Sequence, residues 1–164
     1  MLFALGMTLK ETPIELIDGT ATTFGQLAKG PVLVVNVASK CGLTPQYEAL
    51  EGLQKAYGSK GFTVVGVPTD QFKQEPGTND EILDYCSTTW GVTFPMVAKT
   101  KVNGANTHLL YKQLKKSKDS LGLSGPIMWN FEKFLVLPNG EVHRFRPTTK
   151  PDATEIVELI EANL

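Results

Sequence analysis

Apolar residues fall along the chain in an alternating stretch, several solid runs and several runs at helical spacing. "IELIDGTATTF" (14–24) alternates apolar and polar positions around Asp18-Gly19, the pattern of a hairpin with its turn at that dipeptide. "PVLVVNVA" (31–38) is nearly continuous and β-branched, as in a strand covered on both faces. A helix follows, with Thr44 as its cap, Pro45 in its first turn, and Tyr47, Leu50, Leu53 and Tyr57 along one face until Gly58 and Gly61. "FTVVGVP" (62–68) is a second buried strand, closing a βαβ unit with right-handed crossover.

The loop "TDQFKQEPG" (69–77) leads into Thr78-x-x-Glu81, a capping box that starts a helix running to about Thr89. "TFPMVAKTKV" (93–102) reads as a strand with Pro95 at its entry. The stretch from Asn106 to about Ser117 reads as a helix, and "SLGLSGP" (120–126) as a loop. "KFLVLPNGEVHRF" (133–145) is a hairpin turning at Asn139-Gly140, and "DATEIVELIEANL" (152–164) is a closing amphipathic helix with Asp152 near its cap. With no repeat or linker, residues 1–164 form a single domain. This order predicts an α/β, thioredoxin-like fold: a central mixed β-sheet flanked by helices, with an N-terminal β-hairpin extension.

Composition narrows the function. Lys and Arg total 16 against 17 Asp and Glu, for a net charge of -1, which offers no cationic face for nucleic acid. The opening "MLFALGMTLKETPIEL" has only a six-residue apolar stretch and no basic residue before Lys10, too short for a signal-peptide core or a membrane span. The expectation is a cytoplasmic protein. Two cysteines and two histidines in unrelated segments give neither a disulfide framework nor the spacing of a metal site.

Cys41 lies between the first solid run and the helix after it. Unpaired N–H groups and the helix dipole favour an anion there, a thiolate included, and Lys40 adds positive potential. A free cysteine is equally often a small buried hydrophobe, so spacing alone leaves both readings open.

"NVASKCGLTPQY" resembles the active-site segment of the glutathione peroxidase family in its cysteine form. The likeness continues through "VPTDQFKQEPGTNDEI", "YCSTTWGVTFP", "KVNG" and "WNFEKFLV", and so covers nearly the whole chain. The resemblance implies that Cys41 is the nucleophile that attacks peroxide, with Gln71, Trp129 and Asn130 in the shell around its sulfur. Those types suit the chemistry: two amides and an indole N–H are neutral donors for a thiolate and for the oxygen that leaves it. The resemblance also makes Cys86 the resolving cysteine, which traps the Cys41 sulfenic acid as an internal disulfide before further oxidation. The plainer reading is that Cys86 packs its helix on the sheet.

If the reduced fold holds the two cysteines on different helices with their Cα atoms farther apart than the roughly 7 Å a disulfide spans, forming the bond requires local unwinding, and 75–91 is the segment expected to move. The implied activity is reduction of hydrogen peroxide and organic or lipid hydroperoxides to water and alcohols, with no cofactor and with thioredoxin as reductant. Glutathione is the alternative reductant, although Arg144 and Arg146 are the only arginines available for its carboxylates. The rival function is a peroxide sensor that relays oxidation to a partner. A C-x-x-C oxidoreductase fits poorly, because Thr44 stands at the second cysteine's place. The four lysines of "YKQLKKSKD" (111–119) read as a solvated face. A long insertion before "WNF" that some relatives use for oligomer contacts is absent, which implies a monomer or weak dimer. The family's Cys-Asn is here Thr69-Asp70; Asp70, like Lys40, is a candidate electrostatic modulator of the Cys41 sulfur.

Overall fold

The computed structural model describes residues 7–164; the apolar opening stretch lies outside them. Strands β1 (Pro13–Glu15) and β2 (Ala21–Thr23) pair antiparallel as the alternation predicts. Gly19 supplies the positive φ of 91° that the turn needs, and the Asp18 carboxylate accepts from Thr20 N–H at 3.0 Å. A single turn, α1 (Phe24–Leu27), follows under a Thr23 cap.

The main sheet has the order β4-β3-β5-β6. Strands β3 (Val32–Val37) and β4 (Thr63–Pro68) run parallel and are joined by α2 (Gln46–Tyr57). On the other edge of β3 lies β5 (Lys133–Val136), antiparallel, followed by β6 (Val142–Phe145). The residues of β3 alternate between two cores. Leu33, Val35 and Val37 join Tyr47, Leu50 and Leu53 of α2, Ile82 and Cys86 of α3 (Asn79–Trp90), and Ile156 and Ile160 of α5 (Thr154–Ala162). Val32 and Val34 join Val65, Phe134, Phe24 and the residues Leu110, Tyr111 and Leu114 of α4 (Leu109–Leu114). Burial on both faces explains why β3 reads as a solid apolar run, and each buried Leu or Ile contributes about 1.5–3 kcal/mol. Thioredoxin-like α/β architecture is what results.

Three expectations need correction. Thr44 does not cap α2; Pro45 holds the cap position without a side-chain bond, and the Thr44 hydroxyl is engaged in the turn before it. The 93–102 segment is no ladder strand. It meets β4 at one bridge, Gly66 to Met96, and the hairpin at another, Leu16 to Val97. Its backbone bonds are shared between two partners: Val97 N–H goes to Gly66 and Ala98 N–H to Glu15. Gly66 permits the approach, since a Cβ there would lie 2.6 Å from Met96 Sδ. The helix expected over 106–117 is shorter at both ends: the His108 side chain caps its start by accepting from Leu110 N–H, and past Leu114 the carbonyls of Lys115 and Ser117 accept from Arg144. As expected, Asp152 lies next to the cap of α5, a position that Ala153 occupies.

Candidate active site

Cys41 sits in the turn between β3 and α2, buried, with the thiol reduced. Local bonding fixes this turn. Cys41 N–H donates to the Thr44 hydroxyl at 3.0 Å, that hydroxyl donates to Ala38 O at 2.8 Å, and Thr44 N–H returns to Cys41 O at 3.0 Å. Leu43 N–H points at the sulfur, 3.4 Å away, a backbone donor that favours a thiolate. The N–H groups of Gln46, Tyr47 and Glu48 are taken by carbonyls of Leu43, Thr44 and Pro45. The anion-favouring contact at the sulfur is therefore the turn's own amide.

Gln71, Trp129 and Asn130 lie on two loops beyond the ends of the strands. Gln71 holds the neighbouring loop: its Nε2 donates to Asn103 O at 2.9 Å, and its Oε1 accepts from Val102 and Asn103 N–H at 2.7 and 2.9 Å. Trp129 is 38% exposed, and its ring tilts on Phe72 with centroids 5.5 Å apart. Asn130 is fully buried, its Nδ2 donating to Gln74 Oε1 at 3.2 Å while its Oδ1 has no partner. Gln74 O in turn accepts from Lys40 N–H at 3.0 Å. One chain of contacts thus leads from Asn130 through Gln74 to the residue next to Cys41, and Phe72 joins the Gln71 loop to Trp129.

Residues not singled out from sequence hold these loops. Asn36, next to the last residue of β3, donates from Nδ2 to Trp129 O at 3.1 Å, and its carbonyl accepts from Phe131 N–H at 2.6 Å. Phe131 adopts a positive φ of 66°, a strained conformation that these bonds enforce. The signal was one amide in an otherwise apolar strand, where a buried polar group requires partners. Gln74 and Glu75 lay inside a quoted motif without a role.

Cys86 is fully buried on α3, its thiol reduced and 3.4 Å from Tyr47 Oη. Burial pushes that thiol up from 9.0 to about 11, and the Tyr47 hydrogen bond works against the rise. Burial, followed by Cys86, also drives the Tyr47 phenol well above its ordinary 10.0. Beside this pair is Glu75, itself buried. Its Oε1 accepts from Ser39 Oγ at 2.5 Å and its Oε2 has no partner. Burial lifts its carboxyl above the ordinary 4.5, with Asp70 adding to the rise and the Ser39 bonds and Lys99 opposing it.

The remaining candidates are placed as follows. The Lys40 side chain is exposed. Asp70 accepts Glu75 N–H on its Oδ1 at 3.0 Å. Both arginines are engaged internally: Arg144 pairs with Glu132, and Arg146 with Glu132 and Asp119 at 2.7 and 2.9 Å. Among the described residues no group of three acidic, His or Cys side chains is placed to hold a metal, and no helix is long and apolar enough to cross a membrane.

Comparison with known proteins identifies the family and the fold. The family model described as glutathione peroxidase matches residues 9–115. The chain is 46% identical to "Thioredoxin/glutathione peroxidase BtuE" of Escherichia coli, with 93% of this chain and 95% of that one covered. It is 51% identical to "Glutathione peroxidase-like peroxiredoxin 2" of Saccharomyces cerevisiae, over 91% and 94% of the two chains. Among solved structures, Trgpx in apo form superposes with a TM-score of 0.72 at 36% identity, covering 95% of this chain and 97% of that one. A thioredoxin family protein from Chlorobium tepidum, at 20% identity and a TM-score of 0.59 over 91% and 95% of the chains, shares the fold. The chain belongs to the glutathione peroxidase family.

Proposed function

We propose that the protein is a thiol peroxidase that reduces hydrogen peroxide and organic hydroperoxides, lipid hydroperoxides among them, through Cys41 and Cys86. One observation carries the two-cysteine form of this reading: in a chain of this family, two reduced thiols lie in one apolar cluster, one on the β3–α2 turn and the other on α3. The Cys41 thiolate attacks one peroxide oxygen, the O–O bond breaks, and the alkoxide or hydroxide leaves as alcohol or water after taking a proton. Gln71, Trp129 and Asn130 serve as the donors that steady the developing negative charge. The Cys86 thiolate then attacks the Cys41 sulfur; the sulfenic oxygen leaves as water and a disulfide remains.

Thioredoxin, a dithiol, returns the disulfide to two thiols. The internal pairing of both arginines supports thioredoxin over glutathione, since neither guanidinium is free to clamp a tripeptide's carboxylates. The setting is a reducing, cytoplasmic one, with the protein as a monomer or weak dimer.

The test is steady-state peroxide consumption coupled to thioredoxin and its reductase, or to glutathione and its reductase, for wild type, Cys41→Ser and Cys86→Ser. The expected result is turnover with thioredoxin that either substitution abolishes. Turnover with glutathione that survives Cys86→Ser makes Cys86 a packing residue. Oxidation of Cys41 without turnover on either reductant makes the protein a sensor.

A further inference from the structure

Ser39, two residues before Cys41, joins the Cys41 turn to both sides of the element that carries Cys86. Its hydroxyl donates to Glu75 Oε1 in the lead-in to α3, and its carbonyl accepts from Tyr85 Oη at 3.4 Å. Tyr85 is the neighbour of Cys86 in sequence, and its hydroxyl also accepts from Trp90 Nε1 at 3.1 Å near the end of α3. Lys40 N–H to Gln74 O and the Lys99 ammonium on the carbonyls of Glu75 and Gly77 brace the same lead-in. A cleft of about 390 Å³ lies along this seam, lined by Ser39, Glu75, Ile82 and Tyr85 among others. Glu75 is held there by a single hydroxyl on one oxygen, with the other oxygen buried and bare.

Resting on the two-cysteine reading above, we propose that Ser39, Glu75 and Tyr85 form a latch that must open before Cys86 reaches the oxidised Cys41. Cys86 is fully buried on α3 against Tyr47 of α2, and the proposed attack on Cys41 draws α3 out of that packing. Opening α3 at Tyr85 and its lead-in at Glu75 separates both from Ser39. The latch thereby sets how long the sulfenic acid persists, and with it the exposure of Cys41 to a second peroxide. These are positioning residues: the step they time is Cys41–SOH plus Cys86–SH giving the disulfide and water, with the first peroxide as the oxidant.

The experiment adds one equivalent of hydrogen peroxide to the reduced full chain, quenches in acid over time, and resolves sulfenic acid from disulfide by mass. Ser39→Ala removes the hydroxyl that serves a buried carboxylate, and disulfide formation is expected to accelerate about tenfold. Tyr85→Phe, which keeps the ring and its packing, is expected to accelerate it about twofold to threefold. Ser39→Thr, retaining a hydroxyl, restores the wild-type rate. Hydrogen exchange rises in 79–91 in the Ala and Phe variants while β3 and β4 keep their protection, which separates a latch from general destabilisation. Rates equal to or below wild type in both variants, with the disulfide still forming, overturn the latch alone. A wild-type protein that forms no Cys41–Cys86 disulfide overturns the two-cysteine reading and the latch with it.

Discussion

Cys86 should be nearly inert toward alkylation in the folded, reduced protein, by an amount that the structure sets. Its thiol is moved from 9.0 to about 11 by burial. Near neutral pH this lowers the thiolate fraction about a hundredfold relative to an unperturbed cysteine, equivalent to about 3 kcal/mol. The side chain has no exposure, and its sulfur contacts Tyr47, so iodoacetamide has no direct approach either. The folded protein is therefore expected to react at Cys86 at least about a hundredfold more slowly than the chain in denaturant at the same pH. What reaction remains should proceed by opening of α3 and should increase with low concentrations of urea. The assay is timed alkylation of Cys41→Ser, so that no disulfide can intervene, with the Cys86 peptide quantified by mass spectrometry. Protection below about tenfold refutes the reasoning. It would mean that Cys86 is already available in the resting state and that no unwinding precedes resolution.

Two further outcomes follow from the same interior. Lys133 is fully buried, donates to Pro147 O at 2.9 Å, and burial lowers its amine from 10.5 to about 7, with Glu132 opposing. A lowered amine costs the folded state most at acid pH, and the cost fades as pH rises above the folded value. In urea titrations, Lys133→Met should therefore gain stability on wild type below about pH 7 and lose about 2 kcal/mol of that advantage by about pH 9; a difference independent of pH would refute the assignment. Thr44→Val leaves Cys41 N–H without its acceptor and Ala38 O without its donor in a buried turn. A loss of about 2–3 kcal/mol in urea melts and peroxide oxidation of Cys41 slowed about tenfold or more are expected, and an unchanged oxidation rate would show that the turn does not position the sulfur.

The parts of the fold that read correctly from sequence are those fixed by local pattern. The β3 run, the helical spacing of Tyr47, Leu50 and Leu53, the Asp18-Gly19 and Asn139-Gly140 turns, and the Thr78–Glu81 capping box each carry their instruction within a few residues. Both bonds of that box are present, with Thr78 N–H on Glu81 Oε1 at 2.9 Å and Glu81 N–H on Thr78 Oγ1 at 3.2 Å. The misreadings share a different cause. Thr44 had two backbone uses open to it, as helix cap or as clasp of the Cys41 turn, and Ala38 O decided between them. The 93–102 segment has strand composition, but its donors serve β4 and the hairpin in turn, so no ladder forms. The helix before Ser117 ends where Arg144 arrives from β6 to take its carbonyls. The last two outcomes depend on partners far away in the chain and the first on a competing bond within its own turn, and local periodicity encodes neither.

The Thr69-Asp70 departure shows how such a partner changes the meaning of a residue. In sequence, a carboxylate next to Gln71 is an electrostatic modulator of the Cys41 sulfur. In the fold, Thr69 is fully buried, and Asp70 folds its carboxylate back on Glu75 N–H, closing the 70–75 loop with a side-chain bond. The second bond inside that loop, Lys73 N–H to Asp70 O at 2.9 Å, accompanies a positive φ of 62° at Lys73, so a tight, strained turn is held by one aspartate. The electrostatic consequence falls on Glu75, whose carboxyl Asp70 helps to hold above its ordinary value. Asp70 thus acts at the lead-in to α3, where the Ser39 bond to Glu75 ties that lead-in to the Cys41 turn. Asp70→Asn, which retains an acceptor for Glu75 N–H and removes the charge, separates closing the loop from charging it.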